Sequence, residues 1–269
     1  MDQAQLPPAN TEQTPAARLA RDSAFELLLT FVLLFGVVTI VRWVIGPSPI
    51  SRALPGIHAE LWLVGAAVAL LLTSLILSPP GRASGAHTNP AISLAMWLFG
   101  VFPGVGVLPY AIAQLFGSVL GVLAAGAVWG EAATQSPVLY ATLQPASGWS
   151  TAELFATEAI GMAIIIFIVG MCLTAHRLTP FVPWIVGALV GLGIALLGTA
   201  SGGSLNPARQ FGPAVVSGEM RFLWVYLVAP LAGAVLAAWP RAFLQGRRRP
   251  LTHRLCGTID ARTPTPVPH

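Results

Sequence analysis

Lysine does not occur in this chain of 269 residues, and charge of either sign is scarce: 14 arginines and ten acidic residues make 9% in all. A soluble domain carries about 25% charged residues, so a water-covered globule is excluded. The net charge is +4 and the pI about 9.8. The arginines sit at the ends of apolar runs rather than along one face, which excludes a nucleic-acid surface. Only two cysteines occur, Cys172 in an apolar run and Cys256 in a polar tail, too few for a disulfide framework. The apolar runs hold no cluster of metal ligands and no nucleophile–base pair. An intramembrane enzyme therefore ranks far behind, with no catalytic residue, metal or cofactor expected. The first twenty residues contain no apolar core of a signal peptide.

What is abundant is hydrocarbon: 55% of the residues are hydrophobic and the mean hydropathy is +0.74. Six runs approach or exceed the roughly 20 residues that cross a bilayer as a helix, at about 24–45, 59–78, 106–129, 152–174, 181–200 and 222–244. Residues 1–22 and 245–269 read as disordered tails around a membrane domain at 23–244. Two shorter apolar runs follow Asn89 and Asn206. At about ten residues each, or ~15 Å of helix, they reach half the hydrocarbon thickness and suit re-entrant half-helices. The expected fold is an all-α membrane protein with six transmembrane helices and two half-helices.

Six spans place both termini on one side. With the termini inside, the inner segments hold ten arginines and the outer ones four, Arg42, Arg52, Arg209 and Arg221. That bias favours cytoplasmic termini, with the plasma membrane as the expected site. The pattern also repeats: a Glu opens each half (Glu26, Glu158) and an Asn-Pro-Ala follows (Asn89, Asn206). Three spans per half is an odd number, so the halves insert in opposite senses. Inverted repeats place a site near the midplane on discontinuous helices.

The motifs read Ser84-Gly85-Ala86-His87-Thr88-Asn89-Pro90-Ala91 and Gly202-Gly203-Ser204-Leu205-Asn206-Pro207-Ala208-Arg209. Asn is a strong N-cap, Pro suits the first helical position, and Ala lets two helix tips approach. The glycines permit tight turns. Meeting tip to tip at mid-membrane, two half-helices each present about +0.5 of a charge and disfavour cations, protons included. Each Asn keeps N–H donors for a passing oxygen.

Across about 23–244 the chain resembles the aquaporin/glyceroporin (major intrinsic protein) family. The likeness is carried by Ser-Gly-Ala-His-x-Asn-Pro-Ala, by Asn-Pro-Ala-Arg-x-Phe-Gly-Pro-Ala, and by Ala113-Gln114 with Gly117. The resemblance implies one pore per subunit, a homotetramer in lipid, and passage of small neutral solutes and water. It also implies that Glu26 and Glu158 brace the loops, Glu26 near His87 and Glu158 near Gly203. The first brace keeps the family's Glu-x-x-x-Thr (Glu26, Thr30); the second has Met162 in place of Thr. The selectivity filter implied is Ala69, Ile194, Gly203 and Arg209, with Val68 or Leu70 as alternatives to Ala69 because Ser78–Arg82 departs from the family sequence. Small and largely apolar, this set resembles plant nodulin-type channels that pass glycerol, boric acid and other metalloid hydroxides. A Phe at Gly203 is expected to narrow it. Gln210 replaces the Asp of glycerol facilitators, while Ala214 is as in water channels.

A water-selective pore is the nearest alternative. A proton-coupled transporter is another, since a carboxylate in a bilayer costs about 2.5–3.5 kcal/mol and Glu26 and Glu158 could titrate. Gly117-x-x-x-Gly121 and Gly187-x-x-x-Gly191 read as helix contacts, and Trp43, Trp62, Trp129, Trp149 and Trp224 as interfacial anchors. His176, beside Arg177, reads as a solvated loop residue.

Overall fold

The structure is a computed structural model that describes residues 14–243 and 250–259. Among the described residues it is all helix and connecting loop. In chain order the helices are α1 (Pro15–Val44), α2 (Pro49–Ala53), α3 (Ile57–Leu77), α4 (Pro79–Ser84), α5 (Pro90–Leu98), α6 (Gly104–Trp129), α7 (Glu131–Thr134), α8 (Thr151–Leu173), α9 (Val182–Leu197), α10 (Pro207–Ser217) and α11 (Leu223–Phe243). Helices α1, α3, α6 and α8 are long and apolar enough to cross a membrane, as is Thr179–Leu197, which contains α9. Helix α11 has 21 residues, ~31 Å at 1.5 Å per residue, and packs along α8. The half-helices are α5 and α10, of 9 and 11 residues.

Helix pairs follow the repeat. α1 lies against α6 in the first half, α8 against α11 in the second, and α3 against α9 between them. Glycine brings the backbones together. A Cβ at Gly117 or Gly121 would meet the carbonyl of Leu27 or Phe31 on α1, and one at Gly187 or Gly191 would meet that of Ala69 or Gly65 on α3. The outward faces are hydrocarbon: Leu70, Val105, Leu108, Phe116, Leu196 and Leu236 are all more than 60% exposed. An apolar face of that extent is built for lipid.

Both tails differ from expectation. The first helix starts at Pro15, not near residue 24. Thr14 caps it by accepting from Ala17, Pro15 takes the first position, and Ala16, Ala17 and Leu19 are good helix formers. At the other end, residues 250–259 are packed, with Leu255 and Cys256 buried. The segment carries backbone bonds from Leu251 N to Leu173 O and from Leu255 N to Gly85 O. Its Arg-, Pro- and Thr-rich composition misled because docking, not propensity, fixes its shape. The rest of both tails lies outside the described residues. Below, the face holding the start of α1 and this segment is called the terminal face.

Candidate functional site

Each half builds its re-entrant loop around a buried carboxylate. Glu26 Oε1 accepts from the Ser84 hydroxyl (2.7 Å) and His87 N (3.0 Å), and Oε2 accepts from Thr88 N (2.7 Å) and Gln114 Nε2 (2.8 Å). Glu158 Oε1 accepts from the Ser201 hydroxyl (2.7 Å) and Ser204 N (3.1 Å), and Oε2 from Leu205 N (2.7 Å). Tyr110 donates to Ser84 O and Tyr226 to Ser201 O, at 2.8 and 2.6 Å. Each carboxylate is thus fully buried among donors, the condition under which a charge inside apolar surroundings is tolerated.

Thr88 and Leu205, just before each Asn, hold left-handed backbone at φ 45° and 51°. Non-glycine residues there carry strain that surrounding contacts must impose. Here the N–H is held by the carboxylate and the carbonyl points across the molecule. Asn89 Nδ2 donates to Leu205 O (3.0 Å) and Asn206 Nδ2 to Thr88 O (2.9 Å). The Asn side-chain oxygens cap their own helices, Asn89 accepting from Ala91 N (2.8 Å) and Asn206 from Ala208 N (2.9 Å). Pro90 and Pro207 occupy the first positions of α5 and α10, and Ala91 and Ala208 are fully buried where the tips meet. Two helix N-termini therefore converge on one spot, each with a positive end.

That spot borders a cavity of ≈ 50 Å³ lined by Asn89, Asn206, His87, Leu205, Arg209 and apolar residues of α1, α3, α8 and α9. It holds roughly three to five waters at ~10–15 Å³ each. A larger cavity of ≈ 350 Å³ opens on the opposite face. Val37, Val68, Ile194 and Arg209 line both cavities and so form the neck between them; Gly203 lines the inner cavity and Gly202 the outer. Of the residues expected there, Ile194 and Arg209 line both cavities and Gly203 only the inner one.

Ala69 lines neither cavity: it packs on α9, its Cβ facing Gly191 and its carbonyl Gly187, and Val68 lines both cavities instead. Counting back from Asn89 fails because α3 ends at Leu77 and a separate helix starts at Pro79. One residue of slip turns a side chain ~100° around a helix. Leu70, the other alternative, is 61% exposed on the outer surface. Gly203 also corrects an expectation. Its φ is +64° and a Cβ there would lie 2.6 Å from Gly193 O, so a Phe would break the loop rather than narrow the neck.

Arg209 is aimed by a loop that sequence reasoning did not find. Its Nη1 donates to Ala141 O (2.6 Å). Leu139, Tyr140 and Ala141 are three successive left-handed residues, φ 40°, 56° and 58°. Gln210 secures the same loop through paired bonds with Leu143 N and O, at 3.0 and 2.9 Å. Gln210 is thus a brace that lines neither cavity. His87 does more than the brace expected of it. Its backbone N–H binds Glu26, its Nδ1 meets the Ser93 hydroxyl (3.0 Å), its Nε2 meets His253 O (3.1 Å), and it lines the inner cavity. Val37 and Leu255 are lining residues without a motif to announce them. His176 is exposed, as expected. Among the described residues no cluster of three metal-ligating side chains occurs.

Comparison with known proteins agrees with this geometry. A sequence profile of the family described as major intrinsic protein matches residues 13–240. The chain is 36% identical over 236 residues to a probable aquaporin AqpM of Archaeoglobus fulgidus, covering 82% of this chain and 95% of that one. It is 34% identical over 227 residues to a probable aquaporin NIP7-1 of Arabidopsis thaliana, with coverage of 84% and 77%. Among solved structures the fold matches the aquaglyceroporin from Plasmodium falciparum at a TM-score of 0.68 and 22% identity, covering 85% of this chain and 97% of that one.

Proposed function

The chain belongs to the major intrinsic protein family of membrane channels, and from that premise we propose that its pore passes uncharged solutes of glycerol size, boric acid and other metalloid hydroxides included, together with water. The family and the aquaporin fold carry the coarser statement, a channel for water and small solutes. The finer one rests on the neck. Val37, Val68 and Ile194 present hydrocarbon and Arg209 a single charged donor. Neither an aromatic ring nor an imidazole stands in that set to take up bore. Three apolar sides suit a solute's carbon face while its hydroxyl reaches the guanidinium. Cations meet two helix N-termini and Arg209 in succession, an arrangement that disfavours them.

The loops' carboxylates argue against coupled transport. Glu26 and Glu158 line neither cavity and their oxygens are engaged by loop donors. We read the protein as a homotetramer in the plasma membrane with cytoplasmic termini, on the arginine bias and the apolar outer face.

The test is a solute panel in proteoliposomes by stopped-flow light scattering, with water, glycerol, urea, boric acid and arsenite. The expected result is flux of water and of at least one larger solute. Val68→Phe should abolish glycerol flux and spare water. Water flux with no glycerol, urea or boric acid flux would overturn the wide neck in favour of a water-selective pore. Uptake that follows an imposed pH gradient would favour a transporter instead.

A further inference from the structure

The inner cavity is not lined by the membrane bundle alone. Leu255, past the end of α11, forms part of its wall and is 1% exposed. Among the described residues it is the one lining residue from the C-terminal segment. The segment Pro250–Thr258 lies across the terminal face, where the inner cavity must open if solute is to pass.

Its seat is specific. Leu251 N donates to Leu173 O (2.9 Å) at the end of α8, and Leu255 N donates to Gly85 O (3.1 Å) in the first re-entrant loop. The carbonyl of His253 meets His87 Nε2, and the His253 ring packs 5.3 Å from Phe102 and 5.6 Å from His87. Two glycines make room for it. A Cβ at Gly85 would lie 2.9 Å from His253 Nδ1, and one at Gly257, where φ is +76°, would collide with Thr179 O. The segment also holds its own shape, through Arg254 N to the Thr252 hydroxyl (3.1 Å) and Thr252 Oγ1 to Thr258 O (2.9 Å).

We propose that Pro250–Thr258 is a built-in plug, which closes the pore at the terminal face by placing Leu255 beneath His87 and opens it by leaving this seat. The side chain of Leu255 offers passing water no hydrogen bond, and an apolar constriction of this kind gates by excluding water. The plug rests on the channel reading, since it needs a pore to close.

The experiment compares three chains at matched amounts in proteoliposomes: the full chain, a chain ending at Arg249, and the full chain carrying Gly257→Val. If the docked form dominates, with an open form near the ~0.1–10% typical of a minor state, both altered chains conduct at least ~10-fold faster. Alkylation of Cys256, read by peptide mass, gives a measure independent of flux. Cys256 is buried in the seat and should react slowly in the full chain and quickly in Gly257→Val. Equal flux from all three chains overturns the plug. So does equally fast alkylation of Cys256 with and without the substitution. Absence of flux from every chain, with Cys256 still protected in the full one, overturns the channel reading and removes the plug's role with it; the protected thiol marks the channel reading as the part that failed.

Discussion

The two halves hold their loops by the same bonds, and they part company at three places. Tyr110 and Tyr226 play matching roles, but four residues on from Tyr110 is Gln114, a fourth donor to Glu26, whereas four on from Tyr226 is Pro230, which has none to offer. Three residues on from Asn206 is Arg209; three on from Asn89 is Ile92, which lines the same cavity with hydrocarbon. The first loop is covered by the C-terminal segment, while the second borders a cavity of ≈ 350 Å³. What both halves keep is what the fold needs: a buried carboxylate, a hydroxyl, two backbone donors and a capping Asn. What only one half has gives the pore a direction, with charge at the neck and apolar cover at the other end.

Removing the carboxylates should separate the two halves most. Glu26→Ala leaves four buried donors unpaired and Glu158→Ala three, at ~1–3 kcal/mol for each orphaned group. Both should lose thermal stability in detergent by at least ~3 kcal/mol, the first more than the second. A larger loss for Glu158→Ala would sink the idea that donor number sets the difference.

The covered and open faces should differ in their response to acid. His253, in the segment, is held down to about 3 by burial, with His87 and Arg254 adding to the effect. Its Nδ1 is buried without a partner. The groups acting on it are His87 on the re-entrant loop and Arg254 in the segment; Tyr110 on α6 and Glu26 on α1 lie beside that His87, and Asp22 on α1 beside that Arg254. An imidazole lowered on docking binds a proton more readily when released. Docking is therefore unaffected above the free value of 6.5 and weakens as pH falls from there towards 3. At one unit below the free value the docking constant drops about tenfold. Flux should rise on acidification of the terminal face and lose that rise in His253→Phe; a rise kept in His253→Phe would assign it elsewhere.

Arg209 at the neck and Ile92 in the inner cavity give a narrower contrast. Arg209→Val should shift the glycerol-to-water flux ratio by about tenfold, equivalent to ~1.4 kcal/mol, whereas Ile92→Val should leave it unchanged. Matching shifts would show that the guanidinium carries no special weight. The smallest effect is expected at Thr30. Its hydroxyl is buried with no hydrogen-bond partner, so Thr30→Val should change stability by about 1 kcal/mol or less, towards greater stability. A loss larger than that, measured by thermal unfolding, would restore the Thr to the bracket.

Thr30 also shows how sequence pattern can mislead. The family's Glu-x-x-x-Thr, kept in the first half and lost to Met162 in the second, pointed to Thr30 as part of the brace, yet Thr30 gives it no hydrogen bond, and Met162 is buried along the cavity wall. Local signals were legible. Asn-Pro-Ala before a short apolar run marked each half-helix, and Gly-x-x-x-Gly marked where α6 meets α1 and where α9 meets α3. Thr14-Pro15 was a readable helix start that polar neighbours disguised. Features set by contact across the chain were not legible. Arg209 owes its aim to Ala141, and Leu255 its burial to Gly85 and Leu173, all remote in sequence.

The crossed amides have a consequence for assembly. Asn89 gives one of its N–H groups to the second loop and Asn206 one of its own to the first. Neither loop can reach its final form before its partner arrives, so each repeat serves as the template on which the other is checked. A half-molecule expressed alone would insert its spans but leave a buried carbonyl and an amide unmet. Co-expression of both fragments should therefore restore what neither achieves singly.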